Sequence, residues 1–210
     1  MSIVRRTSEE TRQCILVAAW DLFRQIGFRK TTIADIAGAL GMSSANIYRF
    51  FASKDALTEA ICRNMLGSLL ETVRAAAAAP GTASERIGSV LMILHRNHRD
   101  QMTHEKRVHE VVAVAMEENW GAIQEFIDTC DALVGGLVAE GQAAGEFGPG
   151  DPVLLGKRTM EACAGVLHPI LIAKCAGDGV DVDALARDIV AFALRALANK
   201  NPPLAPLSLE

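Results

Sequence analysis

Apolar residues return every three or four positions along almost the whole chain, the spacing of helices with one buried face. The first such stripe is Ile15, Ala19, Leu22, Phe23 and Ile26, behind a start at Ser8 and Glu10–Thr11, and Gly27 stops it. Thr32 caps a short helix carrying Ile33, Ile36, Ala37 and Leu40, closed by Gly41. Ser43 caps a second short helix to about Phe50. Ser53 opens a longer one through Leu57, Ile61, Met65 and Leu69 to the alanine run before Pro80-Gly81. Further helices are predicted over 84–101, 104–118, 120–144, 152–176 and 182–199, punctuated by Gly145, "GPGDP" (148–152) and "GDG" (177–179). No segment alternates with strand period, no repeat appears, and "NPPLAPLSLE" carries three prolines, which predicts a disordered tail over 201–210. The fold class is all-α.

Composition adds two constraints. Half the 210 residues are hydrophobic and mean hydropathy is +0.20, yet no run nears the roughly 20 apolar residues of a membrane span. "LHPILIA" and "VVAVAM" are the nearest and both are too short, so the surplus points to a large core plus a subunit interface or an apolar pocket. "MSIVRRTSEETRQ" lacks the apolar segment of a secretory signal, and five scattered cysteines (Cys14, Cys62, Cys130, Cys163, Cys175) suit a reducing cytoplasm rather than a disulfide framework. Charge is unevenly divided. The net −4 splits into +4 over residues 1–54, with eight Lys/Arg against four Asp/Glu, and −8 over the rest. A basic head on an acidic body suggests that only the head meets a polyanion.

Within that head, "GALGMSSANIYRFFASKDAL" (38–57) contains no His, no Cys and a single Asp, so it is poorly equipped for catalysis. Two short helices about a Gly-containing turn form a helix-turn-helix pattern, with Ile33–Leu40 first, Gly41-Met42-Ser43 as the turn and Ser44–Phe50 second. Small residues opening the second helix let it sit deep in a major groove, where Ser and Asn reach base edges or phosphates. Ile36, Ala37, Ile47, Phe50 and Phe51 form the expected mini-core.

The linked set "TTIADIAGALGMSSANIYRFFASKDAL" resembles the DNA-binding signature of the TetR family of bacterial repressors. It has Thr before an Ile-Ala pair, Gly-hydrophobic-Ser at the turn, Tyr-x-x-Phe at the end of the recognition helix and Ser-Lys-acid-x-Leu opening the next. "AAWDLFRQIGFRKTT" is similar to that family's first helix and following loop. The resemblance implies phosphate contacts from Thr32, Tyr48 and Lys54, and groove-facing Ser43, Ser44, Ala45, Asn46 and Arg49. Arg29 and Lys30, in the preceding loop, are candidates for backbone contact, whereas Arg5 and Arg6 read as a free tail or a minor-groove arm. Ala45-Asn46 departs from the Lys-Gly type of pair often found there, so the bases read do not follow from the resemblance.

The expected layout is a DNA-binding domain at 8–54 and a larger helical effector-binding and dimerisation domain at 55–200. The resemblance implies a homodimer in which the last two long helices of each chain build a four-helix bundle, bound to a near-palindromic double-stranded operator and released or recruited by a small-molecule effector. The residues agree: Val182, Leu185, Ile189, Val190, Phe192, Leu194 and Leu197 surround their helix, and Leu154, Met160, Leu167 and Leu171 give 152–176 a matching face.

Four of the five histidines fall in "HRNHRDQMTHEKRVH". "HEKRVH" mimics a zinc-protease motif with one residue too many, which points its two histidines about 140° apart. His95 and His98 are about 60° apart, but no second cluster has ligand spacing, so no metal and no cofactor is expected. His98 continues the stripe Ile87-Leu91-Leu94 and His109 aligns with Val112, Met116 and Trp120, so with His95 they are candidates to orient a ligand, each at least as readable as a hydrogen-bonded core or surface histidine. Met116, Trp120, Phe126, Met160, Cys163 and His168 are weaker candidates, a Met at helical spacing being more often core. An enzyme would need a nucleophile elbow, a phosphate loop or a workable metal set, none of which is present. An architectural DNA binder should be basic throughout, and this body is acidic.

Overall fold

The computed structural model describes residues 7–104 and 121–201. Among the described residues there are ten helices and no strand. Contacts divide the chain into two compact units, one of Met1–Leu69 with Asp100–Phe126, the other of Leu70–Arg99 with Ile127–Glu210.

In the first unit α1 (Ser8–Ile26) starts from a reciprocal cap: the Thr7 hydroxyl accepts from Glu10 N–H and the Glu10 carboxylate accepts from Thr7 N–H. It ends at Gly27, whose φ of 95° suits only glycine. The same reciprocal cap, Thr32 with Asp35, opens α2 (Ile33–Ala39). The third helix, α3 (Ser44–Tyr48), is shorter than the sequence suggests, because the Ile47 carbonyl accepts from both Phe50 N–H and Phe51 N–H and closes the helix in a turn. The long α4 (Lys54–Ala77) follows, and it belongs to this unit as far as Leu69. Ile15, Leu16, Ala19, Phe23, Phe28, Ile33, Ile36, Ala37, Ile47, Phe51, Leu57 and Ile61 form one buried cluster. Phe50 packs against it only partly buried, and Ile26, expected in the α1 stripe, is exposed in the last turn.

The second unit holds the end of α4, α5 (Ala83–His104) as far as Arg99, and α6 (Gly121–Ala143) from Ile127 onward. It continues with α7 (Pro152–Ala162), α8 (Ala164–Leu167), α9 (Pro169–Gly177) and α10 (Val182–Leu197). The sequence reads 152–176 as one helix, but the chain makes three. Pro169 has no N–H to continue the ladder and disfavours helical backbone at His168, which adopts φ −79°, ψ 120°. α6 and α7 meet backbone to backbone at Gly135 and Gly156: a Cβ on Gly156 would lie 2.4 Å from Gly135 N and 2.6 Å from its Cα. In this unit Val134, Leu137, Val138, Ile87, Val90, Leu91, Leu94, Val166, Ile172, Ala186 and Val190 are buried. None of the described helices is long and apolar enough to cross a membrane. The helix expected at 104–118 and the tail at 202–210 fall, apart from His104, outside the described residues.

Candidate nucleic-acid interface

Ile36 and Ile47 are fully buried and Ala37 nearly so, which fixes α2 against α3 through three contacts facing inward. Between them Gly41 takes a φ of 64°, and Met42 N–H closes onto the Ala37 carbonyl at 2.9 Å. The Ser43 hydroxyl accepts from Asn46 N–H at 3.3 Å and starts α3. Asn46 is turned partly back: its Nδ2 donates to Met42 Sδ at 3.5 Å. With Ile47 directed into the core, Ser43, Ala45, Tyr48 and Arg49 are left exposed, and Ser44 and Asn46 half-buried. Tyr48 is 51% exposed, which excludes a role as core aromatic.

The loop before α2 is equally ordered. Thr31 is buried, and both its N–H and its hydroxyl donate to the Gly27 carbonyl, at 3.2 and 2.8 Å. Phe28 packs edge-on against Phe23 with ring centroids 5.3 Å apart. Arg29 and Lys30 stand exposed at the tip of this closed loop. Thr32 is exposed too, but its hydroxyl is occupied, donating to the Asp35 carboxylate at 2.7 Å; that bond comes first among the causes that hold the Asp35 carboxyl below its ordinary value. Lys54 differs from the rest. Its ammonium donates to the Phe28 carbonyl and lies 4.1 Å from the Phe28 ring centroid and 5.9 Å from that of Phe23. Burial there pushes the Lys54 ammonium below its usual pKa.

The candidate effector residues distribute differently. His95 is fully buried, with Nδ1 2.8 Å from the Val166 carbonyl and Nε2 3.0 Å from Asp183 Oδ1. His98 places Nδ1 2.6 Å from the Leu167 carbonyl, and burial is the main cause lowering its pKa. These are carbonyls beside the Pro169 break, so two histidines one turn apart on α5 serve the interruption in the following helices. Arg99 donates to both oxygens of Asp183, which draws α10 into the same network. His168 Nδ1 is buried with no hydrogen-bond partner. Cys163 is buried, its thiol pushed up to about 11 by desolvation; Met160 is half-buried. Phe126 is buried but belongs to the first unit. His109, Met116 and Trp120 lie outside the described residues. No group of three metal-ligating side chains occurs among the described residues. The reading from sequence missed Asp183 and Arg99; the available signal was Pro169, which had to leave helix carbonyls in need of donors.

Among the described residues the capped two-helix unit presents serines, a tyrosine and an arginine on its exposed side. Residues 15–61 match the family described as bacterial regulatory proteins, tetR family, and residues 83–188 match a tetracyclin repressor-like C-terminal domain. The chain belongs to the TetR family of transcriptional regulators. It is 31% identical to the HTH-type transcriptional regulator RutR of Escherichia coli strain K12 over 144 residues, 66% of this chain and 67% of that protein. It is 26% identical to the HTH-type transcriptional repressor KstR2 of Rhodococcus jostii over 193 residues, 88% and 90% of the two chains. Among solved structures, a TetR/AcrR-family regulator from Thermobifida fusca superposes with a TM-score of 0.58 at 26% identity, covering 88% of this chain and 96% of its own.

Proposed function

We propose that this regulator is a repressor that binds a near-palindromic operator as a homodimer, in the cytoplasm, and changes its DNA affinity when a small molecule enters the C-terminal region. The observation that carries the DNA half is the exposed set on and before α3: Ser43, Ala45, Tyr48 and Arg49, with Arg29 and Lys30 on the adjoining loop. Half-buried Ser44 and Asn46 complete the groove-facing set, and Thr32 stands at the start of α2 where a phosphate approaches a helix N-terminus. Lys54 stands apart, because its ammonium already bonds inward.

The dimer rests on apolar surface that one subunit leaves uncovered. In α10 the face of Val182, Ala186, Val190, Ala193 and Leu197 is buried, while Phe192, about 120° around the helix from it, is 68% exposed. Val153 and Leu154 of α7 and Ile170 and Leu171 of α9 are exposed as well. A two-fold dimer on a near-palindromic operator would meet half-sites about 34–36 Å apart, one DNA turn. A ligand then changes affinity only by binding one dimer geometry better than the other.

The deciding experiment is anisotropy or gel-shift binding of the purified protein to the DNA upstream of its own gene, against scrambled competitor near physiological salt. Sequence-specific binding as a dimer supports the reading. Salt-sensitive binding that ignores sequence there and across a genomic fragment library overturns it in favour of an architectural binder.

A further inference from the structure

A cation at a helix N-terminus faces the positive end of the helix dipole, so Lys54, the first residue of α4, needs compensating acceptors. It finds them in the loop after α1: the Phe28 carbonyl takes its N–H, and the Phe28 ring face lies 4.1 Å from Nζ. That loop is the one whose backbone Gly27 and Thr31 close, whose tip presents Arg29 and Lys30, and whose last residue, Thr32, caps α2. We propose that Lys54 is a positioning residue for DNA recognition, pinning residues 27–32 to the start of α4 so that Arg29, Lys30 and the capped end of α2 are already in place when DNA arrives. On this account Lys54 is not itself one of the cations that displaces counterions from phosphate. Desolvation of the ammonium agrees with an inward seat. The inference rests on the DNA-binding reading above.

Two mechanisms separate cleanly by salt. A phosphate contact contributes about 0.9 to the slope of log affinity against log salt for each protomer bound, whereas a positioning residue lowers affinity without changing that slope. The probe is a fluorescein-labelled, mixed-sequence 30-base-pair duplex, titrated from low to physiological salt, with Lys54→Met, Lys54→Arg, Arg29→Ala and Lys30→Ala compared at a temperature where each is folded. Lys54→Met is expected to bind about two- to thirtyfold more weakly, the range of a lost cation–π seat, with the wild-type slope retained. Lys54→Arg, which can restack on Phe28, recovers most of the loss; Arg29→Ala and Lys30→Ala each flatten the slope. A slope reduced by about 0.9 per protomer in Lys54→Met makes it an ordinary phosphate contact and overturns the proposal. The seat is also testable in the wild-type chain alone, so a variant that fails to fold does not shelter the idea. The Lys54 ε-methylene protons should be shifted upfield by the Phe28 ring in free protein, and a random-coil shift refutes it. If wild type binds no duplex while that upfield shift is present, the DNA reading fails and the seat survives.

Discussion

Phe192 gives the proposed dimer a quantitative test. The residue is 68% exposed on α10, about 120° around the helix from the centre of the face that is already packed, so its truncation removes little that one subunit needs. Fully burying a phenylalanine is worth about 1.5–3 kcal/mol, so about two thirds of that, roughly 1–2 kcal/mol, remains to be gained when a partner covers it. A two-fold interface uses each residue twice, so Phe192→Ala should cost the dimer about 2–4 kcal/mol, or roughly 30- to 900-fold in its dissociation constant. Sedimentation equilibrium over a wide concentration range measures that constant, and circular dichroism on dilute samples checks that helix content is unchanged. Val17→Ala is the control: Val17 is 52% exposed on α1, outside the proposed interface, and should leave association untouched. An unchanged dimer constant for Phe192→Ala, or an equal loss for Val17→Ala, would show that the exposed face of α10 is not where the subunits meet.

Four other outcomes are expected. Gly156→Ala should shift the urea midpoint down by about 1–3 kcal/mol equivalent, since its Cβ would sit 2.4 Å from backbone, whereas Gly136→Ala, with nothing within 4 Å, should raise stability by about 0.5–1 kcal/mol; equal effects refute the backbone crossing. Acid should weaken the second unit in two stages. His98 has its pKa lowered by burial, so the stability it gives is full above its ordinary 6.5 and lost as pH falls below that; Asp183, held down first by its bond from Arg99, loses its part only below about 3.8. His98→Asn, which keeps a donor for Leu167 but does not titrate, should reduce the decline in urea midpoint between pH 7.5 and 5.5, and an undiminished decline counts against the assignment. Arg29→Ala, in the loop read as a backbone contact, should weaken binding to all duplexes alike, whereas Asn46→Ala should change the preferred sequence in a selection experiment, the reverse pattern exchanging their roles. His95→Leu should cost about 1–3 kcal/mol in urea unfolding through the carbonyl of Val166 left without its donor, and a neutral result would mean that water replaces the ring.

Legibility in the sequence followed the range of the interaction. The cap at Thr32, the turn glycines Gly27 and Gly41 and the inward triad Ile36, Ala37 and Ile47 depend on residues a few positions apart and were readable as a string, whereas the first cap falls on Thr7, one residue ahead of the start expected at Ser8. The TetR assignment, carried by linked short-range features, was readable for the same reason. What failed to show was everything set by distant partners. Periodicity continued straight through His168-Pro169, so three helices looked like one, although proline should have counted for more than the apolar stripe. Lys54 looked like a phosphate contact because Phe28 is 26 residues away, and Asp183 went unnoticed because Arg99 is 84 away. The histidines were noticed for their composition, but their partners are main-chain carbonyls, which no composition can display.

That last point bears on how the second unit could respond to a ligand. An apolar contact between helices slides with little penalty, but a hydrogen bond to a carbonyl is directional and costly to leave unmade in a dry interior. His95 reaches the α8 carbonyl of Val166 on one side and Asp183 of α10 on the other, and Arg99 holds Asp183 from the next turn of α5. Helix α5, the interrupted segment and α10 are thus tied at one point by groups that tolerate only discrete arrangements. Such a tie favours two well-defined states over a continuum, which is what a regulator needs if differential ligand affinity is to become a difference in dimer geometry. The weakening expected of His95→Leu therefore has a second reading in DNA binding: if the tie sets dimer geometry, that variant loses operator affinity at temperatures where it remains folded, and if it is only a core contact, it does not.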